Sequence, residues 1–191
     1  MIKPRDYDQV DAKTTSAGLG IPAPEAGGHG CVILKADIEK NEYGEKLVLY
    51  FDINEGSESD RYYRKLFDYK KGYDPQTKWP GVFRQPIYTK DGTTSPYFKG
   101  LITAIEESNP GYTFNFDERL LANKKVGLVF RDEEYIGKMD GNVHTAVRAA
   151  WACKYQDADA MPAPKKKLVN QNAAPAQSQQ MTEAPEEELP F

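Results

Sequence analysis

Between residues 61 and 90, eight cationic side chains are interleaved with eight aromatic rings, while Asp68 and Asp74 are the only acids, so this stretch carries a local charge of +6. The cations are Arg61, Arg64, Lys65, Lys70, Lys71, Lys78, Arg84 and Lys90; the rings are Tyr62, Tyr63, Phe67, Tyr69, Tyr73, Trp79, Phe83 and Tyr88. Single-stranded nucleic acid suits this mixture. An unpaired base stacks on a ring for about 1 to 3 kcal/mol, and each linkage has a phosphate that Lys or Arg can neutralise. Duplex DNA hides the base faces, so exposed rings gain little there. Arg61, Tyr62, Tyr63, Arg64, Lys65, Phe67, Lys70, Lys71, Tyr73, Lys78, Trp79, Phe83 and Arg84 are therefore the candidate nucleic-acid contacts. For each ring a second reading stands beside this one, as a core residue. Trp79, with Pro80 and Gly81 after it and with Lys78 and Arg84 bracketing the segment, reads equally as an exposed platform or as a plug folded onto the domain.

Other chemistry has less support. His29 and His144 each stand alone, and Cys31 and Cys153 have no second thiol or paired histidine nearby, so neither a metal site nor a disulfide framework is indicated. Both cysteines read as reduced core residues. No phosphate-cradling glycine loop ends in Lys-Ser or Lys-Thr. Glu106-Glu107 and Asp132-Glu133-Glu134 could hold magnesium in a nuclease, although solvation of helix and strand ends is the commoner reason for such runs. The expectation is a protein that is not an enzyme and needs no cofactor.

A second motif closes the chain. Glu186, Glu187 and Glu188 are followed by Leu189, Pro190 and Phe191. A free carboxylate beside a terminal ring offers a basic-rimmed pocket both a charge-assisted hydrogen bond and an apolar anchor, and the proline lowers the ordering cost. This end resembles the acidic tip of bacterial single-stranded DNA-binding proteins, in which Asp residues precede Ile or Leu, Pro and Phe; here Glu replaces Asp. The resemblance implies that the glutamates contact a basic rim and Leu189 to Phe191 an apolar pocket on replication, recombination or repair proteins. The body looks more similar to the divergent versions carried by phages and mobile elements than to the bacterial housekeeping form.

The elements that must position these groups follow from periodicity. A strand is expected over about Gly30 to Ile38 and another over Lys46 to Ile53, joined as a hairpin through Asn41 to Gly44. A third extended segment is expected over Tyr62 to Tyr69, with a short helix capped by Asp60 as the other reading, and Gly72 to Thr94 reads as functional loop. Ser95 as cap, Pro96 in the first turn, and Phe98, Leu101, Ile102 and Ile105 at helical spacing predict a helix that Asn109-Pro110-Gly111 stops. Strands over Lys125 to Tyr135 and Val143 to Tyr155 follow, the latter with Val143, Thr145, Val147, Ala149, Trp151 and Cys153 on one face. Three strands, a helix and two strands make a mainly β chain with the order of a five-stranded OB-fold, a Greek-key barrel with its helix between the third and fourth strands.

The expected organisation is an arm (1–29), the OB-fold domain (30–155), a flexible linker (156–185) and the docking tip (186–191). The linker is rich in Gln, Ala, Pro and Lys and cannot bury enough apolar area to offset its ordering entropy. Net charge is -4 over the 191 residues, and acids outnumber bases from residue 156 onward, so the central positive field coexists with an acidic chain. No run approaches the roughly 18 apolar residues of a membrane span and the start lacks a secretion signal, which gives a cytoplasmic expectation. A single barrel offers roughly 4 to 16 nucleotides, so useful affinity calls for homo-oligomers or cooperative arrays. The rival from another class is a recombination mediator or adaptor whose barrel mainly binds protein.

Overall fold

The structure, a computed structural model, describes residues 23–169 apart from 43, 55, 57, 58, 138 and 139. It is mainly β: a five-stranded antiparallel sheet in the order β3-β2-β1-β4-β5, with two α-helices and two 3-10 turns. β1 (Gly27–Asn41) and β2 (Gly44–Ile53) form the expected hairpin, and Gly44, at φ 112°, takes a backbone angle that an L side chain would resist. A register shift between Ile33 and Lys35 bulges β1 at Leu34. β4 (Lys125–Ile136) pairs with the first part of β1, and β5 (Val143–Cys153) pairs with β4.

Residues 62 to 69 are not a strand. They form α1 (Tyr62–Lys71), in which Tyr63 and Phe67, four apart, bury on one face while Lys65 between them stays exposed; a strand would have put Lys65 on the same buried face as the two rings. The cap is not Asp60 either. Asp52, at the end of β2, accepts the N–H groups of Tyr63 (3.0 Å) and Arg64 (3.2 Å). Lys70 and Lys71 in the last turn complement the helix dipole.

The third strand instead lies within the stretch read as loop. β3 (Val82–Pro86) pairs only with β2, and as an edge strand it tolerates Pro86, which lacks an N–H. α2 (Pro96–Ser108) forms as the sequence indicates. Ser95 Oγ accepts the Phe98 N–H, and Phe98, Leu101, Ile102, Ala104 and Ile105 are buried. Among the described residues no ladder joins β3 to β5, so the sheet is not the closed barrel expected. α2 contacts both of those strands.

The core lies between the helices and the inner face of the sheet, around Ile33, Leu49, Phe51, Ile105, Leu128 and Phe130. Val126 to Phe130 are buried on both faces because the outer face here is also covered. The cover is the chain after β5, which makes a 3-10 turn at Tyr155–Ala160 and then runs on to residue 169. Gly28 N–H donates to Met161 O (3.1 Å), Ala158 is fully buried, and Lys167 exchanges backbone bonds with Asp132 and Glu134 of β4 (both 2.8 Å). The chain expected to be a linker from residue 156 is therefore docked on the sheet as far as 169, and β1 starts at Gly27, three residues before Gly30. Residues 1–22 of the expected arm, and residues 170–191 with the whole docking tip, lie outside the described residues.

Cys31 is fully buried. Cys153 is half-buried, and burial, aided by Asp157, pushes its thiol up to about 11.

Candidate nucleic-acid interface

Four of the candidate rings belong to the core. Trp79 is 5% exposed and its indole N–H donates to Phe51 O (3.1 Å), so the residues around it are a plug rather than a platform. Gly81 permits this closeness, since a Cβ there would sit 2.3 Å from Phe51 O. Phe67 packs on Trp79 with centroids 5.4 Å apart, and Tyr63 meets Phe51 edge-on at 5.2 Å. Phe83 is buried on β3. Tyr63, Phe67, Trp79 and Phe83 are thus corrected to structural residues: their faces are taken up by one another and by the sheet. Burial also drives the Tyr63 phenol far above its ordinary range, which keeps it neutral.

The polar part of the cluster stays outside. Arg61, Lys65, Lys70, Lys71, Tyr73, Lys78 and Arg84 are exposed, and Tyr62 and Arg64 are half-buried. Tyr69 and Tyr73, 47% and 66% exposed, meet edge-on with centroids 5.5 Å apart. Not all of the charge is available. Arg84 donates to Glu39 (3.0 Å) on the outer face of the sheet, Arg61 lies 3.9 Å from Asp60, and the Arg64 guanidinium sits 5.8 Å from the Trp79 ring centre. Lys65, Lys70, Lys71 and Lys78 have no carboxylate partner among the described residues; Lys71 lies 5.4 Å from the Phe67 ring centre. These four lysines come from one helix and the loop after it.

Beside the start of α1 lies a shallow groove of about 550 Å³, lined by Val32, Leu34, Asp52, Ile53, Asn54, Arg61 and Arg64. The β1 bulge forms one wall and α1 the other. The Asp52 carboxyl in it is raised above its ordinary value by burial, against three backbone N–H groups and Arg64 that pull the other way.

A second aromatic-cationic surface escaped the sequence reading. β4 runs regularly, with Val126, Leu128 and Phe130 in the core, so Val129, Arg131, Glu133 and Tyr135 face outward. β5 is not regular: Phe130 pairs with Ala149 but Val129 pairs with Trp151, leaving Ala150 as an extra residue. That bulge reverses the alternation. Val147 and Ala149 pack on the core as expected, whereas Trp151 turns out beside Arg148 and is 42% exposed. Further along, the Arg148 guanidinium lies 5.8 Å from the Tyr135 ring centre, and His144 stacks on Tyr135 at 5.5 Å with 29° between planes. Alternating hydrophobicity held no signal for the flip; the Ala149-Ala150 pair is its only trace in the sequence.

Among the described residues no group of three or more His, Cys, Asp or Glu side chains is placed to hold a metal ion, and no helix is long and apolar enough to cross a membrane. The acidic runs are engaged structurally: Glu106 accepts the Phe114 N–H, Glu133 pairs with Arg131 and Glu134 with Lys166. Comparison with known families finds no family model that matches this chain, and comparison with curated proteins finds no match.

Proposed function

We propose that this chain binds single-stranded DNA with little sequence preference, as a cytoplasmic, non-catalytic protein, and recruits replication, recombination or repair proteins through residues 186–191. The observation that carries the reading is that Lys65, Lys70, Lys71 and Lys78 are exposed and without carboxylate partners among the described residues, on the same helix and following loop as the exposed Tyr69 and Tyr73. Cations held on a rigid helix neutralise phosphates without first breaking an ion pair, and nearby rings add stacking that does not depend on base identity.

The architecture supports it. A sheet order of β3-β2-β1-β4-β5, with a helix just before β4, is the strand order of an OB-fold whose last seam, between β3 and β5, is bridged by α2 instead of a ladder. OB-folds commonly present nucleic acid with an outer sheet face between loops. The groove lined by Arg61 and Arg64 lies on that side of β1 and β2.

The test is titration of the full chain with labelled oligo-dT, oligo-U and blunt duplex at two salt concentrations. Oligo-dT binds more tightly than duplex, and the logarithm of its affinity falls with the logarithm of salt at about 0.7 per phosphate neutralised, or about 3.5 for five. Equal affinity for duplex and oligo-dT overturns the reading. A protein adaptor would leave all three nucleic acids unbound.

A further inference from the structure

We infer that the outward face of the β4–β5 hairpin is a stacking platform for single-stranded nucleic acid, with Trp151 and Tyr135 taking bases and Arg148 taking a phosphate between them. This rests on the proposed single-stranded DNA binding and names where its stacking occurs, now that four of the central rings are accounted for by the core.

Three observations carry it. Both rings are partly exposed and outside the core: Trp151 and Tyr135 are 42% and 40% accessible, neither belongs to the core cluster, and the Tyr135 ring meets His144 and Arg148 of the same hairpin. Trp151 has no ring or hydrogen-bond partner among the described residues, and a bulge in β5 turns it outward. Bulges re-aim side chains where function needs them.

Cations outnumber acids along the paired stretch of this face, although Asp157 of the covering turn lies near Cys153 at its end. Along the paired stretch Val129 to Tyr135 and His144 to Trp151, register places Arg131, Arg148 and His144 on this face with Glu133 as the acid. Glu133 is engaged by Arg131 at 2.6 Å and by Lys167 at 3.7 Å, whereas Arg148 has no carboxylate partner among the described residues and lies against the Tyr135 ring. Asp140 in the turn is held by His144 at 2.8 Å. Two copies of this face would juxtapose their arginines, which argues against self-association through it.

The spacing also fits. Tyr135 lies six residues along β4 from Val129, the partner of Trp151, which is about 20 Å at 3.3 Å per residue. Two rings so separated with a cation between them suit several extended nucleotides and match no small ligand.

The experiment uses the full chain and labelled oligo-dT of about 16 nucleotides. Wild type, Tyr135→Ala, Arg148→Ala and Trp151→Phe are compared by anisotropy of the oligonucleotide and by tryptophan emission. The wild-type emission is quenched on binding and the quench disappears in Trp151→Phe, since Trp79 is buried. Tyr135→Ala binds about 5- to 100-fold more weakly, the range of one base–ring stack. Arg148→Ala reduces the salt slope by about 0.7. Thermal melting of the variants stays at the wild-type value, which separates contact from folding. Binding of oligo-dT with unchanged emission and with wild-type affinity in Tyr135→Ala overturns the platform while leaving the proposed function standing. No binding of oligo-dT by the wild type overturns both, and equal quenching by blunt duplex overturns stacking.

Discussion

At Asp52 a single carboxylate accepts the N–H groups of Ile53, Tyr63 and Arg64, and so ties the end of β2 to the start of a helix whose own leading residue, Arg61, offers no side-chain cap. Replacement by Ala leaves those donors without an acceptor in a buried setting, and a loss of about 1 to 3 kcal/mol is expected from the shift in the urea midpoint. Because burial raises the Asp52 carboxyl above its ordinary value, the folded state holds this proton more tightly than the unfolded chain does. Its contribution to stability therefore falls as pH rises through the window just above the ordinary carboxyl range, and Asp52→Asn removes that part of the slope. Trp79 and Trp151 show how little of a residue's setting its neighbours in sequence disclose. Pro80 and Gly81 suited a loop of either kind, and only the Phe51 carbonyl, brought in by β2, decides that Trp79 lies inside. For Trp151 the alternation pointed to its neighbours' face, and one extra alanine inverted the answer.

Local rules read well where an element's signals were all local. α2 has its cap, its proline and its apolar stripe within one segment, and the β1–β2 hairpin has its turn glycine, so both were legible. α1 and β3 were not. α1 takes its cap from β2, and β3 is a strand because β2 offers it an edge; neither cap nor edge is near in sequence. The docking of residues 155–169 was hidden for a similar reason, since it uses backbone bonds and close approach over glycines, with Ala158 and the Tyr155 ring fitted into the space they leave. A Cβ on Gly28 would lie 1.9 Å from Ala158 O, on Gly30 2.8 Å from the Tyr155 ring, and on Gly127 2.6 Å from Lys154 O. Gly28→Ala should lift the 155–161 turn from the sheet, and limited proteolysis should then cut between residues 154 and 169 faster than in the wild type. An unchanged cleavage rate would mean that the turn is held from elsewhere.

Across the whole molecule, positive and negative charge are separated along the chain: four lysines on α1 and the loop after it, and Glu183 with Glu186 to Glu188 near the end. The net charge of -4 conceals this division, whereas counting by segment revealed it. Replacing Lys65, Lys70, Lys71 and Lys78 together by Ala should flatten the salt dependence of oligo-dT binding by up to about 3 units, at about 0.7 for each phosphate that is no longer neutralised. Deleting residues 183–191 should do the opposite at low salt, tightening oligo-dT binding by removing a tethered competitor while ending partner recruitment; unchanged affinity and recruitment would refute the docking role. Both native thiols are ill suited to alkylation, Cys31 by enclosure and Cys153 because it is half-buried and that burial raises its thiol above the ordinary value. A maleimide fluorophore would accordingly couple to a cysteine introduced at the exposed Tyr97, outside the proposed contacts, in the otherwise unaltered polypeptide, and single-molecule recordings could test whether it moves along a strand.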